Sequence, residues 1–388
     1  MSLILPLIFK LAVTSFAEAP HPLRDTSMVA GCIIEAKTGK VVWSRDKDTP
    51  RYPASTTKIM TCLLMLENYG PEDIITAPKD VDKVRESSMN LKPFERVRVK
   101  NMAYALMLRS ANDGCYAIAM QMDGSVKKFA ERMNNRAKEI GCEHTHFDNP
   151  NGLNDKNHTI SPYDLCLIAR EAMKRPDFRE VVKTEKKIID RSINTKDRLM
   201  VSRNKYLWKD PSADGIKTGW TIPAGHTYVG SATRNGTEFI DSLMNAPHWM
   251  DDHQKMLTWA FDNYETKLIQ NAGPIKFPNL KVAAELRDDV YACVNKNRDR
   301  VESLFVPATG SHTFKKGDVV GTLDVTDGDG YTQHIPVYAT EDQPDGAYAA
   351  AAAISPGGTM GLTLFAVIGT LAAGTIIYRG IIRAQSRI

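Results

Sequence analysis

Three short motifs in this sequence carry residue types that can perform acyl transfer. Ser55–Lys58 (Ser-Thr-Thr-Lys) places a hydroxyl and an amine three residues apart, so both lie on one face of a helix. Ser110–Asn112 (Ser-Ala-Asn) adds a second hydroxyl and an amide. Lys217–Gly219 (Lys-Thr-Gly) adds a cation beside a glycine that lets another backbone approach closely. A serine next to a base is a nucleophile that can form a covalent acyl intermediate.

The motifs recur, so their context must decide which copy is functional. Ser-x-x-Lys also begins at Ser44, Ser125 and Ser202. Those copies lie in polar, turn-like or exposed stretches, where a serine cap and a surface lysine explain them. Ser55 instead precedes residues 59–66, which are apolar on all sides, as in a buried helix. A lysine in the first turn of such a helix loses hydration, which lowers its pKa toward that of a general base.

The other two motifs are also judged by their surroundings. Ser110–Asn112 lies between the apolar segments 102–108 and 115–120, where a loop can hold a hydroxyl and an amide over a cleft. The same residue types are common helix caps, so this motif alone leaves both interpretations open. Lys217–Gly219 leads into a predicted strand, whereas the second Lys-Thr-Gly, residues 37–39, falls at a hairpin tip and is interpreted as a plain turn.

The predicted elements place these motifs around one antiparallel sheet. Residues 28–35 and 41–45 form one predicted hairpin, and residues 227–233 and 237–244 form another around Arg234-Asn235-Gly236. Helices are predicted at residues 55–68, 99–109, 114–122, 126–140, 161–175 and 253–264. Strands at both ends of a domain with helices between them predict an α+β fold, in which helices cover a sheet built from the two ends.

The chain divides into further segments. The catalytic domain is expected over residues 20–272. Short strand-like runs separated by Gly/Asp-rich turns predict a small all-β domain over residues 275–341. An Ala-rich tether, residues 345–358, follows it.

Both ends show targeting patterns. Residues 1–19 are apolar and end in small residues, which predicts a signal peptide, with a disordered or docking N-terminus as the alternative. Residues 359–378 predict a transmembrane helix, with a helix lying in the membrane surface as the alternative. Residues 379–388 contain arginines that favour the cytoplasmic side. We therefore expect a single C-terminal span in the cell membrane, with the folded domains outside.

The combination of motifs is more specific than its parts. Ser-x-x-Lys, a Ser-x-Asn element and Lys-Thr-Gly occur together in penicillin-binding proteins and class A β-lactamases. The matching segments are residues 53–58, 109–113, 149–153 and 214–219. On these residues the sequence resembles the bacterial low-molecular-mass penicillin-binding proteins, the D-alanyl-D-alanine carboxypeptidases, over about residues 28–341. The resemblance implies a β-lactamase/transpeptidase-like fold and a serine peptidase that removes the terminal D-alanine from peptidoglycan stem pentapeptides, with β-lactams as covalent inhibitors.

The resemblance also implies catalytic roles. Ser55 would attack the carbonyl between two D-alanines, and Lys58 would take its proton. Ser110 would relay a proton to the leaving nitrogen. Asn112 would orient Lys58 and the substrate amide.

A second set of residues would bind substrate. Lys217 would polarise the relay hydroxyl, and Thr218, beside Gly219, would help to hold the terminal carboxylate. The backbone N–H groups of the nucleophile and of Trp220 would form the oxyanion hole. The family often has histidine at the Trp220 position, so only the backbone contact carries over. Arg203 matches a family position near the carboxylate.

Other function classes lack a matching pattern. The net charge of +4 with no basic block gives no reason to expect nucleic acid as a partner. His144 and His146 are explained by a polar loop, so neither a metal nor another cofactor is predicted. Residues 112–217 contain no Glu-x-x-Leu-Asn, so release of bound penicillin is expected to be slow. A β-lactam sensor that does not turn over and a D,D-endopeptidase remain alternatives.

The six cysteines form no C-x-x-C pair, which argues against a zinc or thioredoxin-type site. Cys62 and Cys166 lie in apolar helical stretches, so we expect them to be buried free thiols.

Overall fold

A computed structural model of the chain describes residues 23–277, 280, 282–308 and 313–342. The predicted signal peptide, tether, transmembrane helix and basic tail lie outside these residues. Over the described ranges, no helix is both long and apolar enough to cross a membrane.

The chain forms two compact units. The larger unit comprises the described residues up to 271 together with residues 288–304 and 323–335, and the smaller unit comprises residues 272–287, 305–322 and those from 336 on. The domain boundaries given above remain predictions.

The strands and helices are numbered in chain order. The strands are β1 (Ala30–Glu35), β2 (Val41–Arg45), β3 (Ile74–Thr76), β4 (Arg96–Arg98), β5 (Thr145–His146), β6 (Thr159–Ile160), β7 (Lys186–Ile188), β8 (Leu199–Val201), β9 (Ala213–Thr221), β10 (Gly225–Arg234), β11 (Thr237–Met244), β12 (Tyr264–Gln270), β13 (Gly273–Ile275), β14 (Ala284–Leu286), β15 (Val290–Asn295), β16 (Val301–Pro307), β17 (Val319–Asp327) and β18 (Thr332–Ala339). The helices are α1 (Lys58–Asn68), α2 (Val99–Tyr104), α3 (Asn112–Asp123), α4 (Val126–Ile140), α5 (Pro162–Met173), α6 (Pro176–Lys183) and α7 (Trp249–Asn263).

The main sheet of the larger unit has the order β2-β1-β11-β10-β9. All of its pairs are antiparallel, and β1 next to β11 joins the two ends of the domain, as predicted. Asn235 and Gly236 both have positive φ, the conformation that a tight hairpin between β10 and β11 requires. Among the described strands, β9 lies at the edge of this sheet.

Helices cover both faces of this sheet. α5 packs on β1 and β11, and α1 packs on α5, within a core that also includes residues of α2 and α3. α7 packs on β10 and β11 within a second apolar cluster. Every residue of α1 from Lys58 to Leu66 is buried, because the helix is apolar on all sides. Cys62 and Cys166 are buried free thiols, as predicted.

Some elements depart from the prediction. The helix expected over residues 161–175 ends at Met173, and α6 begins separately at Pro176, which occupies the first helical position and cannot continue the preceding helix. The last helix begins at Trp249 rather than at residue 253. The short antiparallel ribbons β3–β4 and β7–β8 were not predicted, because strands of three residues leave little periodicity to detect.

The segment after α7 is rich in strands. In the larger unit, β12 pairs with β15 over Tyr264–Gln270. In the smaller unit, β13 pairs with β14, and β14 pairs with the end of β18 through Ala284 and Ala339.

Candidate active site

Ser55 lies in a 3-10 turn, Ala54–Thr57, that continues directly into α1. Lys58 Nζ donates a hydrogen bond to Ser55 Oγ at 3.0 Å and another to the carbonyl of Asn151 at 2.6 Å. The lysine is fully buried, because the rest of its helix is core. The predicted pair of hydroxyl and amine is therefore in direct contact.

The surroundings of Lys58 lower the pKa of its amine. Burial lowers its pKa to about 8, opposed by the neighbouring Cys115 thiol and reinforced by the charge of Arg203. At this pKa roughly a tenth of the amine is neutral at pH 7, and the neutral form can accept the Ser55 proton.

The turn that presents Ser55 is held by a buried histidine. Thr57 Oγ1 donates to the Ala54 carbonyl at 2.9 Å and lies 2.9 Å from His158 Nε2. The Asp148 N–H donates to His158 Nδ1 at 3.0 Å, so the neutral ring carries its proton on Nε2 and donates it to Thr57. Burial lowers the pKa of His158 to about 4, which keeps the ring neutral.

The backbone on both sides of this turn is tightly constrained. Ala54 has a φ of +50°, a conformation that is uncommon for residues other than glycine. A side chain at Gly152 would place its Cβ 1.8 Å from the Ala54 carbonyl oxygen. The loop of Gly152 and the turn of Ser55 therefore fit only while residue 152 is glycine.

Ser110 lines the same pocket as Ser55. It follows a π-helical turn, Ala105–Arg109, and adopts a left-handed conformation with φ +64° and ψ +41°. Its Oγ is buried and has no hydrogen-bond partner within the described part of the chain. An unsatisfied hydroxyl in a pocket wall is costly unless a ligand or water meets it, so it is well placed to bind a substrate atom.

Asn112 makes different contacts from those expected. Its backbone N–H donates to the Ser87 carbonyl at 2.7 Å, and its side-chain amide lies 3.5 Å from the Arg85 carbonyl. These bonds hold the segment of Arg85 and Ser87, and no bond to Lys58 is seen among the described residues. Its orienting role remains a prediction.

Asp113 was not predicted as a site residue, yet it organises one wall of the pocket. Its buried carboxylate accepts from Ser88 Oγ at 2.6 Å and from the backbone N–H groups of Met89 at 3.1 Å and Leu91 at 2.8 Å. The sequence signal for Asp113 is only that of an acidic residue in the first turn of α3, which is shared by ordinary helix caps.

The third motif lies on the edge strand β9. Lys217 is buried and donates through Nζ to the Thr218 carbonyl at 2.8 Å. Burial, and then the charges of Lys58 and Arg203, lower the pKa of Lys217 well below its ordinary value. A positive charge on Lys58 or Arg203 therefore disfavours protonation of Lys217.

Gly219 brings β9 against the nucleophile. A Cβ at this position would lie 2.3 Å from Thr227 Oγ1 and 2.9 Å from the backbone nitrogen of Ser55. Thr227 Oγ1 in turn donates to the Pro53 carbonyl at 2.8 Å. Only glycine permits this approach of strand and nucleophile.

These residues surround one pocket of about 570 Å³. The predicted residues that line it are Ser55, Ser110, Arg203, Thr218, Gly219 and Trp220. The remaining lining residues are Glu86, Ser87, Leu153, Asn154, Thr221, Ile222, His226 and Trp249. Arg203 Nη1 donates to Ser87 Oγ at 2.7 Å, and burial lowers the pKa of its guanidinium. The pocket thus places the Ser55 hydroxyl beside a cation that can bind a carboxylate, while Lys58, Asn112 and Lys217 are not among its lining residues.

The other Ser-x-x-Lys copies have structural roles. Ser125 caps α4, because its Oγ accepts from the Lys128 N–H at 3.2 Å. Ser202 Oγ accepts from the Asn204 N–H at 3.2 Å. Lys47 pairs with its neighbour Asp48 on the surface. Only Ser125 is thus a helix cap, while Ser44 lies within β2 and Ser202 is buried.

Fold and site together define a class of protein. A serine that is hydrogen-bonded to a buried lysine of lowered pKa, beside the edge strand of a sheet, is the arrangement of a serine acyl-transfer enzyme.

Comparison with known proteins identifies the family. The model of the D-alanyl-D-alanine carboxypeptidase family, peptidase S11, matches residues 16–248. This chain belongs to that family and is a serine peptidase.

Relatives extend the likeness beyond the catalytic unit. D-alanyl-D-alanine carboxypeptidase DacF of Bacillus subtilis is 30% identical over 332 residues, which cover 80% of this chain and 84% of the relative. DacC of Escherichia coli is 28% identical over 88% of this chain and 90% of its own length. The crystal structure of penicillin binding protein 5 from Haemophilus influenzae matches with a TM-score of 0.70 and 24% identity, over 82% of this chain and 97% of that one. This last likeness confirms the mixed, transpeptidase-like fold.

Proposed function

We propose that this protein removes the terminal D-alanine from peptidoglycan stem peptides ending in D-Ala-D-Ala, through an acyl-enzyme on Ser55. The observation that carries the proposal is the 3.0 Å contact between Ser55 Oγ and the buried amine of Lys58, whose pKa is lowered to about 8. The family to which the chain belongs supports the same reaction.

In the acylation step, Ser55 Oγ bonds to the carbonyl carbon between the two D-alanines while its proton passes to neutral Lys58. The carbonyl oxygen becomes an oxyanion, which the backbone N–H groups of Ser55 and Trp220 stabilise. The carbon–nitrogen bond then breaks, and the leaving D-alanine nitrogen takes a proton through Ser110. The Ser110 hydroxyl supports this relay, because it has no hydrogen-bond partner among the residues that the structure describes and can both accept and donate a proton.

The second step returns the enzyme to its starting state. Water adds to the ester carbon as it gives a proton to neutral Lys58, and the ester bond breaks as Lys58 returns that proton to Ser55 Oγ. The shortened peptide leaves with a carboxyl group in place of the amide.

The substrate carboxylate also sets the charge of the site. Arg203 and Thr218 line the pocket at the position proposed for it. Burial holds the pKa of Lys217 well below its ordinary value. A carboxylate at this position favours the protonated form of Lys217 and so raises that pKa. Substrate binding thereby leaves Lys58 as the neutral partner, the one in contact with the nucleophile.

We also propose the location given by the sequence: residues 1–19 direct export, residues 359–378 anchor the chain in the membrane of a bacterium, and the catalytic domain faces outward. The apolar character of residues 359–378 and the arginines after them support this. Recovery of the full chain with membranes, and of a chain ending at residue 342 in the exported soluble fraction, would test it. An unanchored full chain would contradict it.

The function is tested by release of D-alanine from a pentapeptide ending in D-Ala-D-Ala, using the wild type and Ser55→Ala. We expect release by the wild type and none by Ser55→Ala, with Ser125→Ala as a matched serine that leaves release unchanged. Covalent labelling by penicillin without D-alanine release would instead favour the sensor. Cleavage only of cross-linked peptide dimers would favour the endopeptidase.

A further inference from the structure

The part of the pocket wall that carries Glu86 and Ser87 has no regular secondary structure. It belongs to residues 84–95, which lead into β4 without a helix or strand of their own. We call this segment the wall loop. Three of its residues, Glu86, Asn90 and Phe94, have a positive φ although none is glycine. Because such conformations are uncommon, the shape of the wall loop must depend on contacts from other segments.

Asp113 is one anchor of the wall loop, and Arg191, from the segment between β7 and β8, is a second. The side chains of Arg191 and Glu95 are fully buried and form a two-pronged ion pair, with both N···O distances at 2.9 Å. Arg191 Nη1 also donates to the Met89 carbonyl at 2.6 Å, and Nη2 donates to the Asn90 carbonyl at 3.2 Å. A planar guanidinium can satisfy a carboxylate and two carbonyls at once, whereas a lysine cannot. Arg191 therefore joins the middle of the wall loop to its end.

The wall loop in turn holds the cation of the pocket. Ser87 Oγ accepts from Arg203 Nη1 at 2.7 Å, and the Ser87 carbonyl accepts from the Asn112 N–H at 2.7 Å. Arg203 is the group proposed to bind the substrate carboxylate, so the orientation of its guanidinium depends on where Ser87 lies. A small displacement of a group that positions substrate can cost a large factor in rate.

Arg191 also reaches the segment that precedes Ser110. Its Nη1 donates to the Asp197 carbonyl at 2.7 Å, and the Asp197 carboxylate accepts from Asn90 Nδ2 at 2.8 Å and pairs with Arg109. One buried side chain thus fixes the wall loop against the residue next to Ser110. These contacts form a single connected network around the guanidinium.

We propose that Arg191 is a positioning residue for the reaction. By fixing the wall loop, it holds Ser87 where Ser87 orients Arg203 toward the substrate carboxylate. The inference rests on the proposed function, because that function assigns the carboxylate to Arg203. Arg191 is not among the residues that line the pocket, so it acts through the wall loop and not by contact with substrate.

The test is a double-mutant cycle on the second-order rate of acylation by benzylpenicillin, which carries a carboxylate. Arg191→Met combined with Glu95→Leu removes both ionic partners, so no buried charge is left unpaired. This double substitution is made in the wild type and in Arg203→Ala. If the double substitution prevents folding, Arg191→Lys, which keeps the charge but loses the two-pronged geometry, takes its place in the same cycle. Arg136→Met is the control, because Arg136 pairs with Glu67 and does not line the pocket.

We expect the double substitution to lower the rate about tenfold in the wild type and less than about twofold in Arg203→Ala, because its effect passes through that arginine. Arg136→Met should leave the rate unchanged. Equal losses in both backgrounds, or no loss in either, in protein that thermal melting shows to be folded, would overturn the positioning role and leave the catalytic proposal intact. A wild type that penicillin does not acylate would overturn the proposed function itself.

Discussion

Lys-Thr-Gly occurs twice in this chain, and the two copies have little in common beyond their letters. Lys37 is exposed with its Nζ 3.5 Å from the centre of the Tyr291 ring, and the Thr38 hydroxyl donates to Glu35 at 2.6 Å. Lys217 is buried behind the catalytic pocket, and Thr218 lines that pocket. One copy closes a hairpin, and the other forms the wall beside a nucleophile.

The two glycines make the difference concrete. Gly39 has a φ of +75°, and a Cβ there would meet the guanidinium of Arg170 at 3.1 Å. Gly219 has an ordinary φ, but a Cβ there would meet the backbone of Ser55 at 2.9 Å. Glycine is needed at position 39 because the backbone there has a positive φ. Glycine is needed at position 219 because the backbone of Ser55 lies too close for a side chain. The chemistry of the tripeptide therefore comes from the edge strand that carries it and from the neighbour that this strand reaches.

The largest contrast is expected between the two lysines. Lys217→Ala should lower the rate of acylation by penicillin on the order of 10²- to 10³-fold, because it removes a buried amine whose positive charge would stabilise the carboxylate of the bound substrate. Lys37→Ala should leave the rate unchanged, since it loses only a surface contact with an aromatic ring. Rates of labelling by a fluorescent penicillin measure both. Equal effects of the two substitutions would contradict the distinction.

The two glycines should separate activity from stability. Gly219→Ala should reduce the rate of acylation about 10²-fold, because the new methyl group would clash with Thr227 Oγ1. Thr227 is hydrogen-bonded to the Pro53 carbonyl, so it cannot move aside without also moving the turn that carries Ser55. Gly39→Ala should destabilise the fold by about 1 kcal/mol through its positive φ and leave acylation intact. Labelling rates and thermal melting together distinguish the cases. Normal acylation in a folded Gly219→Ala protein would show that the close approach is not needed.

The rate of acylation should depend on pH through Lys58. The base is the neutral amine, so a pKa lowered to about 8 makes the rate rise with pH, about tenfold between pH 7 and 9, and then level off. A series of labelling rates at constant ionic strength measures the profile. A rate that is flat across this interval, or that falls, would argue against Lys58 as the proton acceptor.

The smallest contrast is expected between the threonines. Thr218→Ala should lower D-alanine release about five- to tenfold, the effect of losing one hydrogen bond to the substrate carboxylate. Thr38→Ala should leave release unchanged and cost about 1 kcal/mol of stability, because it removes a buried bond to Glu35. A similar loss of release in both would point to a common effect on folding rather than to carboxylate binding.

Much of the site could be predicted because the residues next to each motif indicate the helix or strand on which the motif lies. The apolar run after Lys58 indicated a buried helix, and the strand signals at both ends indicated the sheet that brings β9 beside Ser55. Periodicity and turn residues are local signals, so they can predict the helices and strands that carry the motifs.

The contacts that complete the site are not local. His158 lies 101 residues from Thr57 in the sequence, and neither position carries a sign of the other. The lowered pKa of Lys217 follows from its burial and then from the charges of Lys58 and Arg203, which no spacing along the chain expresses. For Asn112, the resemblance implies a role in orienting Lys58, the observed contacts run to Arg85 and Ser87, and the orienting role remains a prediction.

The most direct test of the account is to find the residue that penicillin acylates. The protein would be labelled with benzylpenicillin, digested, and the modified peptide sequenced by mass spectrometry. The account predicts one adduct, on Ser55, which is lost in Ser55→Ala and kept in Ser125→Ala. An adduct on Ser44, Ser125 or Ser202, or labelling that survives Ser55→Ala, would contradict it.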